Sequence, residues 1–300
     1  MNKFWTSTRT TLEMIKWEHS IFALPFALTG MVLASAGLPS LRVFVLVLVC
    51  MVSARSAAMA FNRLVDADLD AANPRTAMRA IPAGMLSKQF TAVFTLLMCL
   101  VFVGSCLLLN RMTLLLSPIV LIVVLGYSYM KRVTRWSHLV LGLALGIAPS
   151  AAWIAVRGSL EPRVIVLSVA VLLWVGGFDV LYACQDQEHD VRVGLNSIPQ
   201  AFGVERAFLI ARLMHLLMVG LLVWMIFLFN LGTIASIGVV VVTALLLYEH
   251  AIVSPRDLRR MNAAFFLLNG IIAVVYFCFV AMDVILHSKA FQAIALAFFI

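Results

Sequence analysis

The sequence predicts an all-α integral membrane protein, a nine-transmembrane-helix bundle forming a single domain over 1–300. Three observations carry that expectation. Of 300 residues, 63% are hydrophobic and only 12% charged, about half the charged share of a soluble domain. The apolar residues gather in runs of about 20, the length a helix needs to cross the hydrocarbon core. The basic residues then fall mostly on one side of the resulting layout, as cytoplasmic loops require.

In chain order the runs are 21–37, 41–61, 90–109, 112–130, 137–157, 163–183, 207–229, 232–252 and 262–284. The apolar tail 290–300 is too short to span. Lys3, Arg9, Glu13, Lys16 and Glu18 interrupt the first residues, so no cleaved-signal pattern is expected. With the N-terminus inside, fifteen Lys and Arg lie on the cytoplasmic side, against Arg42, Arg111, Arg157, Arg163 and Lys289 opposite. The expected location is the cell (inner) membrane, multi-pass, with the lipid bilayer as a partner. Loop topology accounts for most of the net charge of +8, so no nucleic-acid partner is implied. Five cysteines without a CxxC spacing read as packing residues.

Charge is placed unevenly. Seven of the fourteen acids stand in two short windows, each directly after an apolar run. Like charges at the ends of lipid-embedded helices repel unless a cation or a positively charged ligand group neutralises them.

The first window holds Asn62, Asp66 and Asp70, with Asp68 between. Residues four apart share one face of a helix, about 6 Å apart along the axis. Three oxygen donors in a row suit a hard divalent cation such as Mg2+, which keeps water and ligand oxygens in its shell. Pro74 is expected to end the helix. Arg75 and Arg79 follow, cations beside metal-binding acids, as a shared diphosphate would require. A calcium loop is excluded, because its sixth and twelfth positions are Ala71 and Ala77 instead of Gly and Glu.

The second window holds Asp179, Asp186 and Asp190 at i, i+7 and i+11, again one helical face. Asp179 lies deepest, where a carboxylate is costly without a partner. Two such faces from two spans are expected to hold two or three Mg2+ between them, through Asn62, Asp66, Asp70, Asp186 and Asp190, and to clamp one diphosphate.

Asn62-xxx-Asp66-xxx-Asp70 and Asp179-xx-Tyr182-Ala183-xx-Asp186-xxx-Asp190 resemble the two signature motifs of the UbiA-type membrane prenyltransferases. The likeness extends through Arg75-Thr76, Arg79, Pro82, Gly84 and Tyr127-xxx-Lys131, and covers nearly the whole chain. It implies a helical bundle with a central cavity capped on the cytoplasmic side. It also implies Mg2+, a polyprenyl diphosphate donor and an aromatic hydroxy acid acceptor in quinone biosynthesis. Asp66, Asp70, Asp179, Asp186 and Asp190 are then the catalytic acids. Arg55, Asn62, Arg75, Arg79, Tyr127, Lys131 and Tyr182 are the substrate-binding residues, with Arg55 facing the acceptor carboxylate.

Glu18-His19-Ser20-Ile-Phe-Ala-Leu-Pro25 departs from the branch that uses 4-hydroxybenzoate. With Asn62-Arg63 and Tyr129-Met130-Lys131-Arg132, it is more similar to a sister group called 4-hydroxybenzoate polyprenyltransferase by similarity. Some members of that group are thought to prenylate a dihydroxynaphthoate on the futalosine route to menaquinone. The acceptors weighed are therefore 4-hydroxybenzoate first and 1,4-dihydroxy-6-naphthoate second.

Two other classes compete. A cation transporter would place acids near the midplane, whereas these cluster on one side. A prenyl-lipid-binding scaffold would not need both acid faces. Positive-inside topology alone explains Arg63, Arg132 and Arg135 as well as the anion site does. Arg212, His215, Glu249 and His250 read as packing or interface groups.

Overall fold

The computed structural model describes residues 3–15, 22–261 and 264–288, without the side chains of 3–8 and 264–265. Lys16, the segment Glu18–Ser20, Lys289 and the tail 290–300 lie outside the described residues. Among the described residues fourteen α-helices follow one another: α1 Lys3–Ile15, α2 Leu24–Ser35, α3 Leu41–Val65, α4 Ala67–Ala72, α5 Lys88–Leu109, α6 Arg111–Gly126 and α7 Met130–Val133. Then come α8 Ser137–Arg157, α9 Pro162–Ala183, α10 Gln187–Val193, α11 Ile198–Phe202, α12 Val204–Leu228, α13 Thr233–Ile252 and α14 Asn269–Leu286.

Among the described residues, eight helices have the length and composition to cross a membrane. The first of the nine expected spans differs. Over 21–37 the helical stretch is α2, with 12 residues, about 18 Å at the α-helical rise. Pro25 sits in its first turn, where a missing N–H costs nothing, and Ala36 closes it in the left-handed conformation at φ 49°. Phe26 and Ala27 in this helix are fully buried.

α9 is the central post. Its apolar window is 61% buried, against 22% for the windows of α5 and α6, which present leucine and valine outward. Trp174 at its middle is wholly buried against Phe26 and Phe178, at 5.0 Å between ring centroids in each case. Lipid is as apolar as these side chains, so close backbone approach and polar links must hold the helices together. Gly142 and Gly146 on α8 supply the approach: a Cβ at either would collide with a carbonyl oxygen of α9, Leu172 or Ser168. One turn further on, the Ser150 and Ser168 hydroxyls meet at 2.7 Å. Gly30 brings α2 against the Pro149 carbonyl in the same way.

Both acid windows stand where a span ends. α3 stops at Val65 and restarts as α4 after Asp66, whose φ −92° and ψ 5° break the helical geometry. α9 runs into a 3-10 turn at Cys184–Asp186 before α10.

Gly142→Ala places a methyl against fixed backbone, so it should destabilise by about 1–3 kcal/mol. Gly104→Ala, with nothing within 4 Å of its Cβ, should leave stability unchanged or slightly raised. Thermal unfolding of the two variants in one detergent makes the comparison.

Candidate active site

The first window is built at the joint between α3 and α4. The Asp66 and Asp70 amides still bond to the carbonyls of Asn62 (2.9 Å) and Asp66 (2.7 Å), so the i, i+4 spacing survives the break. Asn62 Nδ2 donates to Asp66 Oδ2 at 3.0 Å. Asp66 Oδ1 accepts from Arg132 at 3.0 Å, and the same nitrogen reaches the Val65 carbonyl at 2.8 Å. Burial pushes the Asp66 carboxyl above the ordinary carboxylate range, although the Arg132 hydrogen bond and the Lys131 charge pull it down.

Asp70 is nearly enclosed, 6% exposed. Its Oδ1 accepts from Arg79 at 2.6 Å, while its buried Oδ2 has no hydrogen-bond partner among the described residues. The helix ends at Ala72, and Asn73 is extended, as the residue before Pro74 must be. The Thr76 hydroxyl then folds the loop back onto the Asp70 carbonyl at 3.0 Å.

That fold-back carries Arg75 across to the second window. Its Nε and one terminal nitrogen donate to the two oxygens of Asp186 at 2.9 and 2.6 Å, a two-pronged carboxylate clamp. Another nitrogen approaches the Tyr182 hydroxyl at 3.5 Å. Burial alone would lower the Arg75 guanidinium, but Asp186 and Tyr182 raise it above its ordinary value. Asp190 is buried. The Asn196 amide fixes the following loop to the Lys131 carbonyl at 2.8 Å.

Asp66, Asp70, Asp179, Asp186 and Asp190 line one cavity of about 870 Å3. So do the other seven predicted site residues: Arg55, Asn62, Arg75, Arg79, Tyr127, Lys131 and Tyr182. Of the residues left open between anion binding and topology, Arg63 and Arg132 also line it. Arg135 does not, and lies over the Phe202 ring at 5.7 Å. Asp68 and Glu188 are exposed and lie outside the cavity lining, and Asp68 pairs with the exposed Lys88 at 3.0 Å. His215 bonds His250 at 2.9 Å, and Asn269 bonds Glu249 at 3.2 Å, all outside the cavity wall.

Two features escaped the sequence reading. The acids are held by arginines, and among the described residues no three His, Cys, Asp or Glu side chains converge as a closed metal cage. The second is His138, a buried ring bonded to Asp179 at 2.7 Å. No spacing rule links positions 41 residues apart. The donor set nevertheless fits a hard divalent ion: oxygen ligands only, with one buried carboxylate oxygen unpartnered at Asp70.

The wall changes character inward. Beyond Tyr182 the cavity is bounded by Phe22, Phe178, Phe266, Leu141, Leu145 and Val175. Phe22 links Phe178 and Phe266 at ring distances of 5.8 and 6.4 Å.

The family model of the UbiA prenyltransferase family matches residues 23–271. The chain belongs to this family. A 4-hydroxybenzoate octaprenyltransferase of Vibrio cholerae is 34% identical over 247 residues, 82% of this chain and 86% of the relative. One of Photobacterium profundum is 30% identical over 289 residues, 94% and 99% of the two chains. The apo structure of a UbiA homologue from Aeropyrum pernix K1 superposes with a TM-score of 0.81 at 32% identity, covering 89% of this chain and 98% of that one. A UbiA homologue from Archaeoglobus fulgidus bound to DMAPP and Mg2+ shares the fold, with a TM-score of 0.73 at 19% identity over 93% and 100%.

Two neighbouring acids of this UbiA-family chain should separate cleanly. Asp70→Asn removes the charge on the unpartnered oxygen and the Arg79 ion pair. It should weaken Mg2+-dependent binding of a non-hydrolysable prenyl diphosphate about 30-fold, the scale of a lost charge-assisted contact. Asp68→Asn should stay within about twofold, as an exposed pair contributes little. Titration calorimetry in detergent reads both.

Proposed function

We propose that the protein transfers a polyprenyl group from polyprenyl diphosphate to 4-hydroxybenzoate, in the biosynthesis of a ubiquinone-type quinone. The observation that carries this reading is a cavity whose charged mouth passes into apolar aromatic walls. A diphosphate with a long hydrocarbon tail has the same two-part character. The V. cholerae and P. profundum relatives, named for 4-hydroxybenzoate, favour that acceptor.

The cavity mouth has its own division of labour. Asn62, Asp66, Asp70, Asp186 and Asp190 would hold Mg2+, which when bound neutralises diphosphate charge and makes it a better leaving group. Arg75, Arg79 and Lys131 donate hydrogen bonds to the diphosphate oxygens and stabilise charge as the allylic C–O bond breaks. Tyr127 and Tyr182 orient it. The apolar wall keeps water from the allylic cation that results. The ring carbon ortho to the acceptor hydroxyl attacks the cation, and its proton is then lost. Asp179, at the junction of polar and apolar walls, faces that centre as base or electrostatic stabiliser. Arg55 pairs with the acceptor carboxylate. The positive-inside bias favours an active site facing the cytoplasm, in the inner membrane.

Purified protein in detergent with Mg2+ and a long-chain prenyl diphosphate should prenylate 4-hydroxybenzoate, and Asp66→Ala should not. Product from 1,4-dihydroxy-6-naphthoate alone would move the enzyme to menaquinone synthesis. No product from either, with diphosphate bound, would overturn the acceptor class. Asp179→Asn should lower turnover on the order of 100-fold, the range for losing a positioned acid or base. Diphosphate affinity should stay within about threefold.

A further inference from the structure

We infer that His138 is a positioning residue for the prenyl-transfer reaction, holding the Asp179 carboxylate in a fixed orientation and tying it to the loop that follows the second acid window. This rests on the function proposed above.

His138 is the second residue of α8 and is fully buried. Its two ring nitrogens have different partners. Nε2 accepts the backbone N–H of Ile198 at 3.3 Å. An imidazole nitrogen that accepts carries no proton, so the ring is neutral and its one proton sits on Nδ1. Nδ1 therefore donates to Asp179 Oδ2 at 2.7 Å. Asp179 Oδ1 has no protein partner among the described residues, and Asp179 belongs to the cavity wall. One carboxylate oxygen is thus held from behind while the other is offered to the cavity.

The Ile198 end of the ring matters equally. Ile198 opens α11, so its N–H is one of the four donors a helix start leaves unsatisfied. The same loop is bonded to the Lys131 carbonyl through Asn196. His138 consequently joins Asp179 on α9 to the start of α11, and the loop just before α11 is bonded in turn, through Asn196, to the segment carrying Lys131. A phenyl ring of similar size at 138 would leave both a buried N–H and a carboxylate oxygen without partners. A glutamine keeps one amide donor and one carbonyl acceptor, and can serve both partners.

The test places His138→Phe and His138→Gln in the native and Asp179→Asn backgrounds. Prenyl-transfer rates are read together with 15N spectra of histidine-labelled protein in detergent. For His138→Phe, kcat should fall about 30-fold with the KM for diphosphate within about threefold, a loss confined to the chemical step. His138→Gln should stay within about fivefold of native kcat, because its amide replaces both hydrogen bonds. On the residual rate of Asp179→Asn, His138→Phe should add less than about twofold, since two residues acting as one unit are not additive. In the spectra, the ring resonances lost on mutating His138 should show the proton on Nδ1 and should shift in Asp179→Asn.

A native kcat in His138→Phe, or equal losses in both backgrounds, overturns the positioning role. Ring resonances that ignore Asp179→Asn overturn the pairing itself. Absence of transfer by the native protein would bring down the functional reading alone, because the spectra test the His138–Asp179 bond without substrate.

Discussion

Everything at the cavity mouth depends on the cost of a carboxylate at the end of a lipid-embedded helix. Five acids are gathered there, and four meet a named partner within 3.0 Å: Asp66 with Arg132, Asp70 with Arg79, Asp186 with Arg75, and Asp179 with His138. In the three arginine pairs the carboxylate is the more enclosed member, so losing the partner would leave an acid in poor contact with water. The pairs therefore dictate where the loops between spans must run. The 73–79 loop folds back because Arg75 and Arg79 must reach acids on different helices. The segment after α6 does the same for Arg132.

Those loops can be positioned only if the spans are rigid, and the spans gain that rigidity from small residues. With lipid on one side and side chains of equal apolarity on the other, nothing squeezes the helices together as water would. Gly142 and Gly146 let α8 and α9 touch backbone to backbone, and His138 and Asp179 sit one on each of these helices. The packing seam and this part of the cavity wall are the same pair of helices.

Much of this was legible in the sequence because membrane insertion imposes strong rules. A span must be apolar for about 20 residues, and acids at its ends stand out against so little other charge. Asn62, Asp66 and Asp70 were legible by their spacing of four, and Asp179, Asp186 and Asp190 by recurrence of the pattern on a second span. What resisted reading was local or long-range. The shortness of α2 is hidden because its apolar run continues past the helix end at Ser35. The 3-10 turn at Cys184–Asp186 leaves no composition signal. Arg79 stands only nine residues from Asp70, but the partners of the other three acids, His138, Arg132 and Arg75, come from contacts that cross 41, 66 and 111 residues of chain.

The census of charge around the cavity has a consequence for how it fills. Among the described wall residues, six acids (Glu13 and the five above) face six Lys and Arg, so the wall is close to neutral. A cation entering alone would leave arginines deprived of their carboxylates, and an anion entering alone would leave carboxylates deprived of their arginines. Each ligand repairs the imbalance the other creates, in surroundings where imbalance is expensive. Occupancy by a cation and an anion would then be mutually reinforcing, and by linkage the reinforcement would be equal in both directions.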